Sequence, residues 1–179
     1  KTIACEILCE TYNGATYIGS STTNMTASVD EAANAPTVSA VITDTNPISL
    51  ALTDLDDKMV KFISNARTVI TATAKNSATI ASRKVTCGDG KTSSSADSTL
   101  NSVESGTFTV EATDSRGIKT TVVYNKTLVN YVKLTLDTDI YRTQPTNNTI
   151  AIKFSGNYFN GNFGTVANTL NVKYRYREK

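Results

Sequence analysis

Histidine and tryptophan are absent from this 179-residue chain, cysteine and proline occur three times each, and 18 Lys and Arg nearly balance 16 Asp and Glu to leave a net charge of +2. Each shortage closes a class of function. Without histidine no Ser/His/Asp or Cys/His nucleophile can be assembled. Zinc loses its commonest nitrogen ligand, and Cys5, Cys9 and Cys87 are too few to close an all-thiolate tetrahedral site. Three cysteines at irregular spacing make no disulfide framework, and Cys5 and Cys9, on one strand face, sit too far apart to bridge comfortably. They read as small buried hydrophobes of a protein made in a reducing compartment. A near-neutral chain announces no nucleic acid or membrane surface as partner. No apolar run approaches the length of a membrane span. The opening KTIACEILCETY is acidic and broken, unlike a secretion signal. With no initiator Met, the chain is expected to be a piece of something longer.

What is abundant is Thr, Ser and Asn, about a third of the chain, far above ordinary usage. Thr suits a pleated, half-exposed surface, while Asn and Ser suit turns. The short runs of Thr, Val, Ile and Tyr between them predict an all-β fold.

Residues 3–29 read as a hairpin turning at Asn13-Gly14. A two-residue turn there sets Tyr12 opposite Ala15. Unbroken, that register puts Met25, Ala27 and Val29 on the wrong side, so a bulge is expected at Gly19-Ser20, bringing Met25 opposite Ile3. EAANAP (31–36) reads as a linker stopped by Pro36. TVSAVITD and PISLALTD read as strands, and DLDDKMVKFISNA as a loop with a helical turn. TVITATA, ATIASRKVTC, GTFTVEAT and GIKTTVVY read as strands. Phe108, Val110 and Ala112 point inward and meet Ile118, Val122 and Tyr124 across a turn at Asp114-Ser115-Arg116-Gly117, with Gly117 at positive φ. YVKLTLDTDIYR, NTIAIKFSGNY and NTLNVKYRYREK complete the strands. The pattern argues for an antiparallel β-sandwich of immunoglobulin-like type.

Few segments suggest chemistry. VTCGDGKTSSS (85–95) ends like a phosphate loop, but the required first Gly is Val85 and no amphipathic helix follows, so Gly88-Asp89-Gly90 reads as a turn. Asp54-Leu55-Asp56-Asp57 and Asp137-Thr138-Asp139 lack the alternating ligands, Gly and closing Glu of a calcium loop, and read as solvated loops. Lys173 to Lys179 interleaves base and aromatic as nucleic-acid binders do. The same alternation describes a half-buried strand with Val172, Tyr174 and Tyr176 inward. Asn24, Asn125 and Asn147 head sequons expected by chance in an Asn/Thr-rich chain. The most distinctive loop is SGNYFNGNFG (155–164). There Asn157, Tyr158, Asn160 and Phe163 are the candidate ligand-binding residues, a platform on which a sugar could stack. No catalytic residue, metal ligand or cofactor is expected.

TDSRG (Thr113–Gly117) ends one unit and SGNYFNGNFGTVANTLNVKYRYRE starts another. With ETYNGATYIGSSTTNMTASV and Ala35-Pro36, they resemble the immunoglobulin-like or fibronectin-like repeats of tail minor structural, tail-fibre-like proteins of siphophages infecting Gram-positive bacteria. The resemblance implies a closing hairpin at 1–35, a central module at 36–127 and opening strands at 128–179, which could pair with 1–35 as a second sandwich. It implies a non-catalytic tail module that spaces or presents the host-recognition tip. Assembly would be in host cytoplasm and action at the host surface, with other tail subunits or neighbouring modules as partners. Direct binding of host cell-wall polysaccharide and a bacterial surface adhesin repeat are the alternatives.

Overall fold

Residues 2–55, 58–146, 149–165, 167–173 and 175 are described by a computed structural model. The chain runs β1 (Thr2–Asn13), β2 (Thr16–Ser28), α1 (Glu31–Asn34), β3 (Thr37–Asp44), α2 (Pro47–Leu52), β4 (Lys58–Val60), β5 (Ala66–Thr73), β6 (Ile80–Cys87), β7 (Thr92–Ser93), β8 (Asp97–Leu100), β9 (Thr107–Asp114), β10 (Lys119–Asn125), β11 (Thr127–Val129), β12 (Thr135–Arg142) and β13 (Ile150–Asn157). The all-β reading holds.

Two sheets build the centre, one ordered β3-β5-β8 and the other β10-β9-β6-β7. Alternation decides which side chains they share. Ile42, Ala66, Ile70 and Leu100 from the first meet Val85, Cys87, Phe108 and Val110 from the second, with Met59 and Val103 closing one end. Phe108, Val110 and Ala112 are buried as their spacing requires, and Tyr124 and Val122 lie opposite Phe108 and Val110. Gly117 takes φ 76° in the expected turn. The sheets are also laced at their edges: the Ala40 N–H on β3 donates to the Tyr124 hydroxyl on β10 at 2.8 Å.

Three local expectations are corrected. PISLAL is helical, not a strand. Asn46 caps it by accepting from the Ile48 N–H, and Pro47, with φ preset and no N–H to lose, starts it. The acidic stretch 54–65 yields β4, the only parallel partner of β11 among the described residues. In the first hairpin the turn pair is Gly14-Ala15, with Gly14 at φ 61°, because the positive φ falls on the residue without a Cβ. The bulge exists but sits at Ile18, between Tyr17 opposite Tyr12 and Gly19 opposite Thr11. Ile3 pairs with Ala27 and not with Met25, which faces Cys5, while the apolar residues still share a face as the pattern demanded.

Among the described residues β1–β2 and β12–β13 are separate two-stranded sheets with no ladder between them. The expected strand over NTLNVKYRYREK is not formed in its described part, where Leu170 and Val172 are about half exposed instead of inward. Tyr174 and Tyr176 lie outside the described residues, as do Asp56, Asp57 and Asn147.

Candidate functional site

The polar chemistry of this chain is concentrated where the central sheets meet the two terminal ones. The strand registers put these joints at opposite ends. Thr37 of β3, opposite Thr73, lies at the entry end, and Asp44, opposite Ala66, at the exit end. Eight residues of strand separate them by about 26 Å.

The entry joint is organised by the turn after β9. The Asp114 carboxylate, fully buried, accepts from the backbone N–H groups of Arg116 and Ile118 at 2.9 Å each, and from the Arg116 guanidinium at 2.7 and 2.9 Å. Held in this way, the guanidinium reaches across to donate to the Asn34 carbonyl at 2.9 Å and the Lys75 carbonyl at 3.2 Å. Asn34 ends α1, a single turn started by Asp30, whose carboxylate accepts from Ala32 and Ala33. Asn76 donates to the Asn34 side chain at 2.5 Å, and Thr120 to the carbonyl of buried Pro36 at 2.5 Å. Thus the segment leaving the first hairpin is held by side chains from three places in the central module. The sequence marked TDSRG only as a turn. Its arginine does more, because a planar fork of donors can serve one carboxylate and two carbonyls together.

The exit joint is partly apolar. Phe159 and Phe163 lie 4.8 Å apart, with Tyr131 at 5.9 and 5.6 Å from them. Lys61 and Lys133 stand over the Phe62 ring at 4.9 and 4.4 Å. Asp54, exposed as its solvated-loop reading expects, accepts from the Thr165 N–H and hydroxyl at 3.0 and 2.9 Å, tying Thr165 to the segment after α2. Its neighbour Gly164 is needed there, since a Cβ would collide with that carboxylate. Gly106 is similarly tight: a Cβ would strike the Lys126 carbonyl, where the chain passes from β10 to β11.

The four candidate ligand residues do not form one platform. Asn157 ends β13, with its N–H on the Thr135 hydroxyl at 2.9 Å. It and Tyr158 border a groove of about 420 Å³, whose apolar walls include Leu134, Leu136, Phe154 and Leu170. Asn160 is exposed away from it. Phe163 is 8 % exposed and packed into the aromatic trio, and with Tyr158 it lines a second groove of about 260 Å³.

The Gly88-Asp89-Gly90 turn joins β6 to β7, and Lys91 is occupied within it. Its ammonium donates to Asp89 at 2.7 Å and to the Ser102 carbonyl at 3.1 Å, while the Glu104 N–H reaches Asp89 at 2.8 Å. Partial burial works to raise the Asp89 pKa. The Lys91 ammonium and the N–H groups of Lys91 and Glu104 outweigh it, holding the value at about 2 against an ordinary 3.8. All three cysteines are free, and burial raises the pKa of Cys87.

Three other aspartates follow the same direction, Asp97 through its hydrogen bond with Arg67. Asp54 is lowered by the Thr165 N–H and hydroxyl. At Asp114 burial pushes upward but is overcome by the Ile118 N–H and Arg116. Folded pKa values below the unfolded ones stabilise the fold fully above about pH 4, and the stabilisation is lost as pH falls towards 2. Urea unfolding followed from pH 5 to pH 2 is therefore expected to show a progressive loss, with Asp89 alone contributing about 2 kcal/mol. Asp89→Asn should flatten part of that curve; an unchanged slope would show that Asp89 carries no such linkage.

The comparisons add a lineage. No curated protein and no solved structure matches this chain. Residues 1–157, however, match the family described as Siphovirus protein of unknown function (DUF859). This mostly β chain thus belongs to that siphovirus family.

Proposed function

We propose that this chain is a non-catalytic structural module of a siphovirus tail, built on immunoglobulin-like sandwiches, that spaces or presents the host-recognition tip. The observation that carries this reading is the pair of joints. The central module holds the segment before it through Arg116, and the segments after it through Asp54 on Thr165 and Phe62 under Lys133, at opposite ends of its strands. Gripped at both ends, such a module transmits force and direction along a fibre. Membership of a phage family supports a structural protein of the virion, and it takes support from the bacterial adhesin alternative. The reading places the protein at the tail, among other tail subunits or neighbouring modules, on a phage of a Gram-positive host.

Direct recognition of wall polysaccharide has less behind it, because the Phe163 ring is mostly buried where it lines a groove with Tyr158. Antibodies raised against the folded chain are expected to decorate the tails of intact virions in negative-stain electron microscopy. Decoration of capsids, or none on virions that contain the protein, would remove the tail assignment. Saturable binding of the labelled chain to intact cell walls, lost when the polysaccharide is stripped and lost with Tyr158→Ala, would instead favour recognition.

A further inference from the structure

Asn-Gly, the dipeptide at which an asparagine side chain is most open to attack by the next backbone nitrogen, occurs twice in this chain, at Asn13-Gly14 and Asn160-Gly161. Gly has no Cβ to obstruct the approach, so by sequence alone the two are equivalent. The fold separates them. Asn13 is the last residue of β1 and pairs with Thr16 to close the first hairpin, so its backbone is extended and held in a ladder. For the Gly14 nitrogen to reach the Asn13 side chain, that rung must open. Asn160 belongs to no strand and is exposed. Among the described residues its side-chain amide has no hydrogen-bond partner, and neither has the Gly161 N–H.

The surroundings of Asn160 give the reaction a structural consequence. Its two neighbours are anchored by one residue: Asn168 donates its side-chain amide to the Phe159 carbonyl at 2.7 Å and its backbone N–H to the Gly161 carbonyl at 2.9 Å. Phe159 folds back over Gly161, where a Cβ would come within 2.7 Å of the ring. The same ring lies 4.8 Å from Phe163 and 5.9 Å from Tyr131. Asn160 is thus a link of fixed length between two carbonyls that a single residue holds.

We propose that Asn160 is a site of spontaneous modification, converted to isoaspartate, and that the conversion releases Phe159 from the aromatic trio. The Gly161 nitrogen attacks the Asn160 Cγ. A new N–Cγ bond forms as the Cγ–Nδ2 bond breaks, and the proton lost from the Gly161 nitrogen leaves with Nδ2 as ammonia. Water then opens the cyclic imide. Its addition at the main-chain carbonyl breaks the bond to the Gly161 nitrogen and leaves isoaspartate; addition at Cγ leaves aspartate. Isoaspartate lengthens the main chain by one carbon, about 1.5 Å, and adds a carboxylate. Asn168 can then no longer meet both carbonyls, and the tight Phe159–Gly161 contact is lost with them. This is an ageing of the exit joint, beyond anything the spacer role requires.

The test is ageing of the folded full chain at mildly alkaline pH, with peptide mapping by mass spectrometry to read isoaspartate at both Asn-Gly pairs. Isoaspartate at position 160 is expected to accumulate several-fold faster than at position 13. The difference should vanish in urea, where no ladder holds Asn13. Equal or reversed rates in the folded chain, or a difference that persists in urea, would overturn the selection of Asn160 by the fold. The release of Phe159 is read separately, by nuclear Overhauser contacts among the Tyr131, Phe159 and Phe163 rings. These should weaken in aged wild type and persist in Asn160→Gln aged alongside it, since the longer side chain cyclises far more slowly. Contacts that survive in aged wild type carrying isoaspartate at position 160 would overturn the release.

Discussion

Phe108→Ala is expected to destabilise the protein by about 3–5 kcal/mol, because it removes the largest fully buried side chain from a core that cannot collapse around the gap. Phe108 sits on β9, the strand between β10 and β6, and packs in a cluster drawn from both central sheets. Neither sheet can move in alone: each is held by its ladders, and the Ala40–Tyr124 hydrogen bond ties their edges. Urea unfolding followed by far-ultraviolet circular dichroism should show a lower midpoint with an unchanged slope, since the same surface is exposed on unfolding. Phe108→Leu, which keeps most of the volume, should lose far less. A loss below about 1.5 kcal/mol for the alanine variant would mean that the two sheets do not share one tightly packed core.

The second large effect is expected at the entry joint. Asp114→Ala deletes a buried acceptor on which two backbone N–H groups and one guanidinium converge, and buried donors without acceptors are costly. The turn after β9 should open, and Arg116, no longer oriented, should release Asn34 and Lys75. Hydrogen exchange at the Arg116 and Ile118 amides is expected to accelerate by roughly tenfold or more. Nuclear spin relaxation should show the β1–β2 hairpin tumbling separately from the central module. Arg116→Ala separates the two consequences: it frees the hairpin but leaves the Ile118 N–H on Asp114, so exchange at Ile118 should barely change. Equal effects at Ile118 from both variants would make the guanidinium, not the carboxylate, the organiser of the turn. A hairpin that tumbles with the module in both variants would show that the joint is not what aligns it.

These residues also mark how far the sequence could be read. The β9–β10 hairpin was legible because three signals agree there: alternation in Phe108, Val110 and Ala112, the same alternation in the next strand, and a Gly where positive φ is needed. The bulge in the first hairpin was legible in kind but not in place, since hydrophobic register demands one extra residue without saying which. The α2 helix carried its own signal, Asn46-Pro47 as cap and first residue, which was outweighed by the strand-like Ile and Leu that follow. Nothing local distinguishes Phe163, buried in an aromatic trio, from Tyr158, exposed beside it; the choice depends on residues such as Tyr131, far away in the chain.

By itself the sequence determined the class of the fold, the inward and outward faces of most strands, and the want of histidine-based chemistry, because these rest on composition and on a period of two. Tertiary structure decided which sheets share a core, and that Arg116 and Asp54 hold the segments on either side of it. Those outcomes depend on contacts between residues 41 to 111 positions apart, such as Arg116 with Lys75 and Asn34 and Asp54 with Thr165, and no local pattern encodes a contact at that separation.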